Sequence, residues 1–304
     1  RFGQVRNELV TPPRFNVEDL SEGARRFIAG LSRKVLLADP LGVATDTIFS
    51  ADFSLLSGSA AWFGLLAYTL QIFLDFSGYT DMAIGIGRML GFKLPENFNY
   101  PYISRSITDF WRRWHMTLTA WFRTYLFIPL EFARKRQRFM RQQSNILVVF
   151  LLTGLWHGAN WNFIIWGVYF GVILALEASG LGILLKKLPV FLQHIYALAL
   201  IMLGWVFFRI ENTADWAPFI SALFGSNGGQ AEVTLRSLNI IFYVPILVLA
   251  ALFSTRLFSY VANLVQSKLK WGMIGVDIIY LLLFILSISA ILAKGFTVFL
   301  YAQF

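Results

Sequence analysis

The sequence contains no cysteine, which excludes disulfides, thiolate metal sites and a cysteine nucleophile. Charge is scarce: 14% of the 304 residues are charged and 57% are hydrophobic, against about 25% charged in ordinary soluble domains. So few charges cannot coat a water-soluble globule of this size. Histidine occurs only three times. No G-x-S-x-G elbow and no His-Glu-x-x-His pair is present, so a serine hydrolase centre and a zinc site are not expected. No internal repeat and no low-complexity tract is visible.

Long apolar runs are abundant. The clearest are 59–74, 146–176, 188–208, 239–258 and 274–293, and about 20 apolar residues suffice to cross a bilayer. They do not alternate as barrel strands would. The expectation is an all-α, polytopic transmembrane helical bundle forming a single membrane-embedded domain over 1–304. The chain starts at Arg1 without a charged-then-apolar signal segment, and is read as a piece lacking upstream spans.

Polar features are concentrated in a few places. Asn16 is expected to cap a helix with Asp19 three residues on, leading into an apolar stretch that Pro40 and Gly42 break into a short or re-entrant element. Asp75 and Asp81 fall at membrane depth among small residues, where buried partners are expected. Residues 105–141 hold nine Lys or Arg against Asp109 and Glu131, a net of +7 within a chain of +9. A basic loop between spans is normally cytoplasmic, and anionic lipid headgroups are its expected partner rather than nucleic acid. A soluble excursion is expected at about 209–237.

Two of the three histidines stand in aromatic surroundings. On a helical wheel over 105–125, Phe110, Trp111, Trp114, Leu118, Trp121, Phe122 and Tyr125 share one arc. Arg105, Thr108, Asp109, Arg112, Arg113, Thr119 and Arg123 share the other, and His115 lies at the seam. That pattern predicts an interfacial helix, with Asp109 and Arg113 paired at i and i+4. His157 lies within 146–176, in "LLTGLWHGANW". Continued as a helix, this segment puts Thr153, Gly154, Asn160 and Trp161 one turn away, with Gly154 and Gly158 forming a small-xxx-small pair. An imidazole there either hydrogen-bonds a neighbouring helix or accepts a proton from a substrate hydroxyl. His194 is assigned no role.

The segments "DFSGYTDMAIGIGRMLGFKLPENFNYPY", "ITDFWRRWHMTLTAWFRTYLFIPL" and "LTGLWHGANWNFIIWGVYFG" resemble the membrane-bound O-acyltransferase family, over most of the chain and in the same order. The resemblance is greatest to the bacterial branch that modifies alginate, peptidoglycan or teichoic acid. It implies a ring of helices, some interfacial or re-entrant, around a central tunnel in the bacterial inner membrane. By this resemblance His157, of the "WHG" motif, is catalytic, and His115, of the "RWH" motif, lines the same channel. Trp114, Trp156, Asn160 and Arg112 flank these histidines and are the expected substrate-binding residues. Acetyl-CoA is the implied acyl donor, with no bound cofactor or metal. The implied acceptor is an exported polysaccharide such as alginate, reached through an exported acyltransferase partner protein. A transporter or flippase relaying protons through His157, Asp75 and Asp81 is the alternative from another class, and a non-catalytic scaffold a third.

Overall fold

The computed structural model describes residues 16–137, 140–226, 235–236, 239–257, 260–261, 264, 272–295, 297 and 299. Arg138 of the basic segment, positions 227–234 and 237 of the 209–237 excursion and the closing "YAQF" lie outside them. Among the described residues the fold is helical, with no strand. Two compact units form: residues 1–44, 70–97 and 240–303, and residues 45–69 and 98–239 with 304.

The first unit begins with α1 (Val17–Ser32). Asn16 Oδ1 accepts from the Glu18 N–H at 2.9 Å, and Glu18 and Asp19 in the first turn suit the positive end of the helix dipole. The expected break at Pro40 does not occur. A π-turn over Arg33–Ala38 runs directly into α2 (Asp39–Phe49). Pro40 has no N–H to return to residue 36, and the wider turn ahead of it absorbs that loss without ending the helix.

α3 (Gly58–Met89) is likewise unbroken through "DFSGYTDMAIGIG". Thirty-two residues make it about 48 Å long. Its second half meets α1 backbone to backbone: a Cβ on Gly30 would stand 2.5 Å from the Gly78 carbonyl oxygen, and one on Gly23 2.6 Å from that of Gly85. Across this contact Lys34, 2% exposed, places Nζ 2.6 Å from both Asp75 and Asp39. Arg26 and Arg33 both grip Asp81, Arg26 at 2.8 Å. Asp75 therefore has the buried partner expected of it, whereas the arginines that hold Asp81 are only half-buried. α12 (Val244–Phe253) and α13 (Gly272–Lys294) complete the unit, α13 touching α1 through Ser32 and Ser287, whose hydroxyl oxygens are 3.2 Å apart.

In the second unit the basic aromatic segment is not one amphipathic helix. It breaks into α4 (Ile107–Trp111) and α5 (Met116–Phe122), then a π-turn at Arg123–Phe127 and α6 (Ile128–Ala133). His115 sits in the break with φ 43° and ψ 52°. The predicted single arc is accordingly split: Phe110 and Trp114 are buried, whereas Trp121 and Tyr125 are exposed. The Asp109–Arg113 pair does form, at 2.9 Å.

The run 146–176 is two helices rather than one interrupted span: α7 (Arg141–His157) and α8 (Trp161–Leu176). They pack antiparallel, with Gly154 against Phe163 and Gly167, and Phe150 against Gly167 and Gly171. A π-turn at Glu177–Leu181, where Gly180 adopts φ +128°, leads through α9 (Gly182–Leu185) to α10 (Val190–Arg209) and α11 (Trp216–Leu223). Among the described residues four helices are long and apolar enough to cross a membrane: Gly58–Met89, Trp161–Leu185, Val190–Arg209 and Ile274–Ala293. The expected span at 239–258 gives only a shorter apolar helix, within Ile240–Phe253.

Removing one partner of a buried ion pair strands the other charge, at about 3 kcal/mol or more. Asp75→Asn is therefore expected to lower the melting temperature and folded yield of the full-length protein in detergent by more than it lowers activity per folded molecule. An unchanged melt with abolished activity would instead make Asp75 a reacting group.

Candidate functional site

His157 is the last residue of α7 and is 7% exposed. The chain turns through Gly158 and Ala159, and Asn160 restarts the helix, its Oδ1 accepting the Trp161 N–H at 2.7 Å. Asn160 and Trp161 thus belong to the turn and the next helix, not to the turn of helix below His157. The reason is packing: a Cβ on Gly154 would lie 2.3 Å from the Phe163 carbonyl oxygen, and one on Gly158 2.8 Å from the Phe163 ring. Gly154 thus opens the approach between α7 and α8, while Gly158 makes room for a side chain.

Aromatic rings wall in the imidazole. Trp166 and Phe208 each meet it nearly perpendicular at 5.2 Å between centroids, Trp156 at 4.9 Å and Phe163 at 6.1 Å. Asn162, fully buried, donates from Nδ2 to the Phe208 carbonyl at 3.2 Å and so ties the end of α10 to the start of α8. Sequence reasoning passed over Asn162; an amide in an otherwise apolar run was its only signal.

His115 enters from the break between α4 and α5. A non-glycine residue in the left-handed region is strained by an amount of order 1–3 kcal/mol and persists only where its surroundings hold it. Here the Asn99 N–H donates to the Arg113 carbonyl at 2.9 Å, and the Thr119 N–H to that of His115 at 3.0 Å. Below it Trp114 is 1% exposed, packed against Trp205 at 5.0 Å, Phe98 at 5.1 Å and Phe110 at 5.5 Å. Burial pushes the His115 imidazole down to about 3, with the nearby charge of His157 adding to the effect.

A second residue that the sequence did not flag holds this arrangement. Glu177, buried at the start of the π-turn after α8, accepts from the backbone N–H groups of Ile107 and Thr108 at 2.8 Å each. It also accepts from the Thr108 hydroxyl at 2.6 Å and the Tyr196 hydroxyl at 3.1 Å. The carboxylate satisfies the first turn of α4 and anchors the segment that carries His115. His194, given no role, lies within 3.0 Å of the Ser104 carbonyl oxygen through Nδ1.

The expected binding residues are dispersed. Trp156 is 55% exposed beside His157, Asn160 caps α8, and Trp114 is buried in the wall. Arg112 lines a cleft of about 620 Å³ with Arg105 and Lys186 that none of the rings around His157 enters. Near the histidines, the indole N–H groups of Trp111, Trp166 and Trp205 are buried without an acceptor among the described residues. Trp166 is itself a wall of the His157 site. Unmet buried donors are uncommon in folded proteins and call for a ligand or a specific role. The arrangement can thus accept one proton at an imidazole and offer a hydrogen bond in an enclosure that excludes water.

The model of the MBOAT, membrane-bound O-acyltransferase family, matches residues 8–209. A probable alginate O-acetylase AlgI of Pseudomonas putida is 40% identical over 95% of this chain and 62% of its own length. That of Pseudomonas aeruginosa is 46% identical over 64% of this chain and 37% of its own. A peptidoglycan O-acetyltransferase of Helicobacter pylori is 40% identical over 70% of this chain and 40% of its own. The chain thus spans less than two thirds of the length of these relatives.

The folded state keeps His115 unprotonated down to about pH 3, while an unfolded chain takes up that proton near 6.5. Protonation therefore favours unfolding, and this ring's contribution to stability is lost as pH falls from about 6.5 toward 3. Melting temperature in detergent should drop between pH 7.5 and 5, and His115→Asn, which tolerates the left-handed backbone, should flatten that drop. An equal drop in both proteins would place the titration elsewhere.

Proposed function

The chain belongs to the membrane-bound O-acyltransferase family, and on that premise we propose that it is a multi-pass membrane enzyme acetylating hydroxyl groups of an exported polysaccharide. His157 carries the reading: a buried imidazole at a helix end, walled by aromatic rings. In the proposed reaction His157 takes the proton of the acceptor hydroxyl as its oxygen attacks the acetyl carbonyl of acetyl-CoA. The carbon–sulfur bond then breaks, and the proton returns to the departing thiolate. The Trp166 indole N–H, which lacks an acceptor among the described residues, is placed to hold a substrate oxygen beside the imidazole. His115 positions donor or acceptor, and Trp156 and Asn160 form the rim at which the acceptor arrives.

Alginate is the proposed acceptor, supported by the names of the Pseudomonas relatives. Peptidoglycan is the second reading, favoured by the relative from Helicobacter pylori. The proposed setting is the bacterial inner membrane, with 105–141 on the cytoplasmic side, the whole acting as one acyltransferase domain that hands acetyl groups on through an exported partner protein.

The test uses the full-length protein in vesicles with labelled acetyl-CoA, an alginate or peptidoglycan acceptor and the exported partner protein. Ester formation is expected on one of them. His157→Ala should fold and insert nearly as wild type yet transfer about 10²-fold or more slowly, the loss expected for a positioned base. His157→Gln should be nearly as inactive, and His115→Ala less affected. Wild-type transfer by the Gln variant with both substrates saturating would remove His157 as the base. Passage of substrate without ester formation would favour the transporter reading.

A further inference from the structure

The cleft of about 620 Å³ beside α4 stands apart from the histidine site and has its own chemistry. Arg105, Arg112 and Lys186 line it, and none of the three forms an ion pair among the described residues. Its two carboxylates are already engaged: Asp109 with Arg113 at 2.9 Å, and Glu177 with the amides of Ile107 and Thr108. Three cations therefore face the opening with no anion assigned to them.

The rest of the lining joins polar side chains such as Gln142 and Gln193 to apolar ones that include Ile146, Phe150 and Ile183. Ile183 is 66% exposed. Lys186 directly follows the apolar helix Trp161–Leu185, which puts its ammonium where a membrane span gives way to headgroups. A ligand for this cleft needs a compact anion at one end and hydrocarbon at the other. We propose that this cleft is a specific binding site for an anionic phospholipid, its phosphate held by Arg105, Arg112 and Lys186 and its acyl chains lying along Ile183 and Ile146. Cationic pockets at helix ends suit such headgroups, each Lys or Arg near the surface contributing about fivefold in affinity. By fixing α4 from outside, as Glu177 does from within, the lipid would steady the segment that carries His115. The site is independent of the acyl-transfer reading, since binding is measured without donor or acceptor.

Native mass spectrometry of the full-length protein, taken from nanodiscs of phosphatidylcholine with phosphatidylglycerol, reads the bound lipid directly. Wild type should retain phosphatidylglycerol in preference to phosphatidylcholine. The triple variant Arg105→Ala, Arg112→Ala, Lys186→Ala should bind it on the order of 100-fold more weakly, with its fold verified by melting in phosphatidylcholine alone. Should the triple variant fail to fold, Lys186→Glu against Lys186→Arg gives the same reading, with lipid lost in the first and kept in the second. Equal retention of phosphatidylglycerol by all variants would overturn the proposal. So would displacement of the lipid by coenzyme A, since the phosphate bound there would then belong to a nucleotide.

Discussion

The close approach of α7 and α8 is the constraint on which the site depends. Between helices in a bilayer no hydrophobic driving force acts, because lipid is as apolar as the side chains, so fit at the backbone decides the packing. Gly154 and Gly167 meet Cα to backbone, and any Cβ at Gly154 would collide with a carbonyl of the opposite helix. With the two helices in this register, the connecting turn has only Gly158, Ala159 and Asn160 to reverse the chain. His157 consequently falls at the helix end, its ring held between Trp166 and Phe208.

The surroundings of the two histidines set polar groups into an apolar shell at some cost. Asn162 and Glu177 spend hydrogen bonds on neighbouring backbone, which fixes the ends of α10 and α4. Trp111, Trp166 and Trp205 keep buried donors without an acceptor among the described residues, and His115 holds a strained backbone. Polar groups left unsatisfied next to a strained residue are characteristic of a site built for a ligand. A fold selected only for stability would have removed them.

Much of this was legible in the sequence. The apolar runs announced helices and bilayer length, Asn16 announced the first cap, and the isolation of Asp75 and Asp81 announced buried partners. Periodicity failed where the backbone departs from α-geometry. It carried α4 and α5 through as one helix because a wheel has no term for a residue in the left-handed region, such as His115. At "WHGANWN" an interruption of the run 146–176 was legible, but not that the chain reverses there into a second helix. Pro40 misled in the opposite direction, since a π-turn upstream absorbed it. Glu177 and Asn162 escaped notice because their roles are long-range: each bonds backbone dozens of residues away, which no local pattern encodes.

Chemical rescue tests the central claim, that the imidazole at position 157 takes the acceptor's proton, most directly. His157→Gly in the full-length protein leaves a gap the size of the lost ring, open toward Trp156 and the turn. Added imidazole should restore part of the acetyl transfer, in proportion to its free-base fraction as pH is varied, while leaving wild type unchanged. A His157→Gly rate indifferent to imidazole at every pH would contradict the account.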